Sequence, residues 1–180
     1  LKDTNTAFVD KLTFIAGDRV VTDPMAVPFS LGCNLLCIFS KKHMESPPEL
    51  KGEKLKHNQR TMKKLSELLS EGGQCIYVAP SGGRDRPNDK GIVDVAPFDP
   101  QSIEMLRLMA GQAGKPTHFF PLALSTYNIL PPPSSVEVEL GEERKSKRSP
   151  AHLYFGEEID MDSFPGSGEG DKKIKRQKRA

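Results

Sequence analysis

The chain of 180 residues is 36% hydrophobic, which is enough for one compact domain rather than two. No stretch approaches the roughly 20 consecutive apolar residues of a membrane-spanning helix, and the start resembles neither a signal nor a transit peptide, so we expect no transmembrane segment. The formal net charge is +2, but six of the 26 basic residues lie within residues 171–180. Because nucleic-acid-binding domains usually carry basic patches on their folded body, we expect no nucleic-acid partner.

The first half of the chain contains two short apolar runs, residues 12–16 and 34–39, each bounded by turn residues. Such runs are typical of strands buried on both faces. Between them, Asp23-Pro24 predicts the start of a short helix, because proline is favoured at the first helical position.

A longer helix is predicted over residues 54–70, where apolar residues recur at helical spacing until Gly72-Gly73 ends the pattern. The residues expected to face inward are Leu55, Met62, Leu65, Leu68 and Leu69.

The second half of the chain also contains predicted strands and a predicted helix in alternation. Residues 74–79 predict a third strand, residues 100–110 a helix, and residues 118–124 and 136–140 two further strands. Alternating strands and helices favour an α/β fold, with a largely parallel or mixed sheet whose ligand site lies where strand ends meet loops. From residue 165 the chain is rich in Gly, Ser and basic residues, so we expect a disordered tail over residues 165–180.

The three cysteines, Cys33, Cys37 and Cys75, lie in or beside apolar segments. They form no CxxC pair and no His/Cys cluster with metal-binding spacing, so we expect free thiols, no metal site and no cofactor.

Charged side chains follow two of the predicted strands: Lys42 and His43 come after residues 34–39, and Arg84 and Arg86 after residues 74–79. If the two strands are neighbours, these groups converge. Guanidinium groups bind phosphate oxygens bidentately and a lysine adds a point charge, so the cluster suits a phosphate monoester. A solvated strand end, a surface histidine and a simple turn are equally consistent with these residues.

The same residues belong to longer blocks: 14–24 (FIAGDRVVTDP), 40–44 (SKKHM), 79–87 (APSGGRDRP) and 96–99 (APFD), continued at 119–124, 131–133 and 136–141. In order and spacing these blocks resemble the plastid glycerol-3-phosphate acyltransferases, over roughly residues 8–164. We therefore predict a partial acyltransferase-like α/β domain over residues 1–164, incomplete at both ends.

The resemblance implies an enzyme that transfers an acyl group from acyl carrier protein or coenzyme A to the sn-1 hydroxyl of glycerol 3-phosphate. The product is lysophosphatidic acid, in the first step of glycerolipid synthesis in the plastid stroma. Carried over position by position, the residues that bind the substrate phosphate are Lys42, His43, Arg84 and Arg86.

The family's catalytic pair is a histidine followed, after four residues, by an aspartate, and no such pair occurs in the chain. The residues five positions after the four histidines are Pro48 for His43, Met62 for His57, Ala123 for His118 and Glu157 for His152. With a first residue, Leu1, that is not methionine, this suggests a fragment, and we expect no acyl transfer by this chain alone.

Two other interpretations stay open. The chain is alternatively a non-catalytic relative that binds glycerol 3-phosphate or acyl carrier protein, or a module that binds an anionic surface through its basic tail.

Overall fold

The computed structural model describes residues 6–24, 26–82, 85, 87–129, 131 and 146–180. The chain divides into two compact units. The first, called the sheet unit, comprises residues 1–82 and 105–117, and the second, called the hairpin unit, comprises residues 83–104 and 118–180. The division predicted at residue 164 stays a prediction.

In the sheet unit, the described residues form a parallel sheet of three strands in the order β2-β1-β3. The strands are β1 (Leu12–Gly17), β2 (Asn34–Ile38) and β3 (Cys75–Tyr77). Phe14 of β1 pairs with Leu35 on one side and with Tyr77 on the other, and the rings of Phe14 and Tyr77 lie 5.6 Å apart. All three predicted strands of this region are confirmed, with ends shifted by one or two residues.

The helices of the sheet unit connect these strands. They are α1 (Thr6–Asp10), α2 (Val27–Ser30), α3 (Lys41–Met44) and α4 (Lys51–Glu71), with short 3-10 helices at Asp18–Val21 and Pro48–Leu50. Helix α5 (Pro100–Gln112) contributes residues to both units.

Helix α4 packs on β2 and supplies the centre of the core. Leu65 is fully buried, whereas Leu55, which the apolar periodicity places inside, is 45% exposed. The residue buried at that end of the helix is Lys54, with 7% of its surface exposed. The face of α4 toward the sheet is therefore apolar in its second half and polar in its first.

In the hairpin unit, β4 (Leu122–Ser125) pairs antiparallel with β5 (His152–Phe155). Strand β5 was not predicted, because its apolar residues follow a charged segment and remain exposed. The strand predicted over residues 136–140 lies outside the described residues.

Where we expected a disordered tail, the structure has a helix, α6 (Lys172–Arg179). The Asp171 carboxylate caps it by accepting from the amides of Lys173 and Ile174, at 2.7 and 3.2 Å. A capping aspartate at the start and basic residues in the last turn both favour a helix, because they complement its dipole.

The predicted fold class is confirmed: a parallel sheet flanked by helices, hence α/β. Within the described part of the chain, no helix is both long and apolar enough to cross a membrane.

Candidate functional site

The loops that leave the parallel sheet start at one edge, here called the carboxyl edge, where β1, β2 and β3 end. Strands β2 and β3, which precede the predicted phosphate ligands, are not neighbours, because β1 lies between them. Since the strands are parallel, β2 and β3 end on the same side of the sheet, and they run two strand spacings, or about 10 Å, apart. The end of β3, Tyr77, pairs with Phe14, whereas the end of β2, Ile38, pairs with Gly17, three residues further along β1. The chain places β2 on one side of β1 and β3 on the other, so the direction of strand addition reverses between β1 and β3. Open parallel sheets bind ligands at such a position.

The intervening strand, β1, brings two further charged residues to the carboxyl edge, which were not among the predicted ligands. Strand β1 ends at Gly17 and continues directly into Asp18 and Arg19 of the first 3-10 helix. Arg19 is exposed. Its place within the block at residues 14–24 was the signal that could have identified it.

Lys42 and His43 lie in α3, a single helical turn that begins three residues after the end of β2. The His43 side chain is exposed, and its backbone amide donates to the Ser40 carbonyl at 2.9 Å. The backbone of Lys42 is described but its side chain is not. The turn therefore carries both predicted ligands of this strand end at the carboxyl edge.

Helix α4 holds this segment through hydrogen bonds from side chains to backbone groups. The Asn58 amide makes two of them: its Oδ1 accepts from the Phe39 amide and its Nδ2 donates to the Phe39 carbonyl, both at 2.9 Å. On the same helix, His57 Nε2 and Thr61 Oγ1 lie 2.9 and 3.0 Å from the Cys37 carbonyl oxygen. The last residues of β2 are thus fixed by one face of α4.

Lys54 extends this contact to α3. Its ammonium group donates to the carbonyl of His43, at 2.8 Å, and to that of Ser46. The same group lies 5.4 Å from the centre of the Phe39 ring. Apolar periodicity could not have identified Lys54, because its role follows from the partners that the fold brings to it.

The segment after β3 turns sharply. The Gly82 amide donates to the Ala79 carbonyl at 3.0 Å, which closes a four-residue turn with Pro80 at its second position. Gly82 has φ +75°, a conformation that favours glycine. Arg84 and Arg86 follow this turn and lie outside the described residues.

Asp85, which stands between the two arginines, is described. Its Oδ1 accepts from the Ala96 amide at 2.9 Å, so this residue is tied to the end of the following loop.

One acidic group lies near the carboxyl edge beside a thiol. Burial, and to a lesser degree the negative charge of Asp18, raises the pKa of the Cys37 thiol. Burial also raises the pKa of Cys75. Both groups therefore remain neutral thiols at physiological pH, and neither has the lowered pKa of a nucleophilic cysteine.

A histidine does pair with a carboxylate in the structure, although not at the spacing examined in the sequence. His118 Nδ1 lies 2.7 Å from Glu158 Oε1 in the hairpin unit, and both side chains are more than half exposed. Such an exposed pair lacks the enclosed surroundings that orient a catalytic base, and we interpret it as a hydrogen bond at the surface.

Comparison with known proteins identifies the family. The sequence model of the acyltransferase family matches residues 3–125. The chain belongs to the acyltransferase family. The residues discussed at β2, α3 and α4 all lie inside this match.

Three chloroplastic glycerol-3-phosphate acyltransferases are similar to this chain. The protein from Cucurbita moschata is 42% identical over 97% of the chain, that from Arabidopsis thaliana 47% over 80%, and that from Spinacia oleracea 48% over 80%. The predicted resemblance to plastid glycerol-3-phosphate acyltransferases is confirmed, and with it the plastid location that the resemblance implies. The Cucurbita match extends beyond the expected residues 8–164. The chain spans only 38%, 32% and 31% of these relatives' lengths.

Proposed function

We propose that this chain binds glycerol 3-phosphate at the carboxyl edge, through Lys42, His43, Arg84 and Arg86, as the substrate-binding part of a glycerol-3-phosphate acyltransferase. The observation that carries the proposal is the placement of α3 at the same sheet edge from which the segment after β3 departs. Strands β2 and β3 are both parallel to β1, so they end on the same side of the sheet, and the loops on that side are where open parallel sheets bind ligands.

The charges of this cluster match a phosphate monoester. Arginine can bind two phosphate oxygens with one planar group, and lysine contributes a compact charge. The names of the relatives, all glycerol-3-phosphate acyltransferases, support glycerol 3-phosphate over other phosphate esters.

The proposed reaction is acyl transfer from acyl carrier protein or coenzyme A to the sn-1 hydroxyl, in the plastid stroma. The hydroxyl oxygen forms a bond to the thioester carbonyl carbon, the carbon–sulfur bond breaks, and a general base moves the hydroxyl proton to the departing thiolate. The 180 residues contain no histidine followed after four residues by aspartate. We therefore assign substrate binding to this chain and no turnover of its own.

The binding site is tested by calorimetric titration of glycerol 3-phosphate into the chain and into the Arg84→Ala/Arg86→Ala variant. We expect measurable binding by the unchanged chain and a loss of about tenfold or more in the variant, because each charged hydrogen bond to phosphate contributes appreciably. A Lys63→Ala variant, which removes an exposed charge on α4, serves as the control. Equal affinity of all three proteins would contradict the assignment.

Turnover is tested separately, by incubating the chain with glycerol 3-phosphate and an acyl carrier protein thioester. We expect no lysophosphatidic acid above the enzyme-free background, because no general base of the family's type is present. Product formation that depends on the chain would overturn this part of the proposal. Binding without turnover is also what a non-catalytic relative would show.

A further inference from the structure

We propose that Lys54 is a positioning residue of the phosphate site: its buried ammonium group holds α3 in the conformation that presents Lys42 and His43. The inference rests on the proposed function, since it concerns the same site, but it assigns a role to a residue that does not itself contact the substrate.

The first argument is the burial of the charge. A lysine is rarely buried unless its ammonium group is hydrogen-bonded, because moving it out of water is costly. Lys54 is 7% exposed, and it donates to the carbonyls of His43 and Ser46 while facing the Phe39 ring. An ammonium group has three N–H donors; two of them bond to these carbonyls, and the Phe39 ring adds a cation–π contact.

The second argument is the weakness of α3 on its own. A helix of four residues cannot repay the cost of nucleation, and the carbonyls at its end have no partners within the helix. A cation at that end satisfies these carbonyls and complements the helix dipole. Lys54 supplies such a cation from outside the turn, at the carbonyl of the residue whose imidazole is a predicted ligand.

The third argument is that the hold comes from a rigid support. Asn58 fixes Phe39, immediately before α3, and Lys54 fixes the two carbonyls at and beyond its end. Both side chains project from one face of α4, which the fully buried Leu65 anchors in the core. A ligand-bearing turn that is held at both ends from one helix keeps its geometry before the substrate arrives.

The test compares Lys54→Met, which keeps the bulk of the side chain and removes its charge and donors, with the exposed Lys63→Met on the same helix. Affinity for glycerol 3-phosphate is measured by calorimetry at a temperature where circular dichroism shows each protein folded. We expect Lys54→Met to bind about tenfold more weakly and Lys63→Met within about twofold of the unchanged chain.

A conservative variant separates positioning from general stability. Lys54→Arg retains the charge and the donors, so it should recover most of the affinity. The ¹⁵N resonances of the His43 imidazole should shift on ligand addition in the unchanged chain and in Lys54→Arg, and shift less in Lys54→Met. Unchanged affinity and unchanged His43 shifts in folded Lys54→Met would overturn the inference. If Lys54→Met does not fold, Lys54→Gln, which keeps an amide donor but loses the charge, replaces it with the same expectations.

Hydrogen exchange of the His43 amide tests, without any ligand, whether Lys54 holds α3 in its conformation. This amide bonds to the Ser40 carbonyl within the turn, so loss of the hold should speed its exchange in Lys54→Met and leave it unchanged in Lys63→Met. If the unchanged chain binds no glycerol 3-phosphate, the proposed function fails. The exchange rates then judge Lys54 alone: faster exchange supports its hold on α3, and equal exchange refutes it.

Discussion

At the scale of single residues, the side chains that shape the candidate site are those that bind backbone groups. Lys54 and Asn58 are not among the predicted phosphate ligands, yet between them they bond to Phe39, His43 and Ser46. A hydrogen bond contributes about 0.5–1.5 kcal/mol to stability, and one that involves a charged group about 1.5–3 kcal/mol, so these two residues stabilise the observed turn. The predicted ligands on α3 and the residues that bond to the turn thus come from different elements.

The cysteines give a prediction at this scale. Cys33 is exposed, whereas burial raises the pKa of Cys37 and of Cys75, with Asp18 adding to the effect at Cys37. Because the thiolate is the species that reacts, we expect iodoacetamide at mildly alkaline pH to modify Cys33 first and the other two several-fold more slowly. Mass spectrometry of peptides from timed samples measures the three rates. Equal rates at all three positions would contradict the described environment of β2 and β3.

At the scale of elements, α4 links the core to the site, because its apolar half packs on the sheet and its polar half bonds to the end of β2. A helix built in this way transmits any loss of core packing to the turn that it supports. Two leucines, one in each half of the helix, differ sharply in exposure: Leu65 is fully buried and Leu55 is 45% exposed.

This difference predicts the effect of truncating each side chain. Leu65→Ala should lower the free energy of unfolding by about 2–5 kcal/mol, because it leaves a cavity in the core. Leu55→Ala should lower the free energy of unfolding by much less, about 0.5 kcal/mol, because nearly half of the Leu55 surface is already exposed. Urea denaturation followed by circular dichroism measures both. Similar losses in the two variants would show that α4 packs on another face.

Much of the sheet unit could be predicted from the sequence, because buried strands and long helices carry strong local signals. Residues 12–16 and 34–39 are short apolar runs between turn residues, and both are strands. The inward position of Lys54 could not be predicted, since periodicity assigns lysine to the solvent side and only the fold shows which carbonyls it meets. Strand β5 and helix α6 were not predicted, because the charged and Gly/Ser-rich composition of this part of the chain is typical of disorder. Asp171 is nevertheless a recognisable helix cap.

At the scale of the whole molecule, the strand order determines how the predicted ligands relate. Strand β1 lies between β2 and β3, so the segments that follow β2 and β3 leave the same edge without being adjacent, and Asp18 and Arg19 follow the strand between them. The identity of the ligand residues came from resemblance, and the spatial order of the strands from the structure. Of the four predicted ligands, the structure describes His43 fully and Lys42 by its backbone, so the site as a whole stays a proposal.

The most direct measurement is calorimetric titration of the 180-residue chain with sn-glycerol 3-phosphate, alongside glycerol under the same conditions. Because the proposed site binds the phosphate group, we predict saturable binding of glycerol 3-phosphate with one ligand per chain and no detectable binding of glycerol. Absence of glycerol 3-phosphate binding by the folded chain, or equal binding of glycerol, would contradict the account.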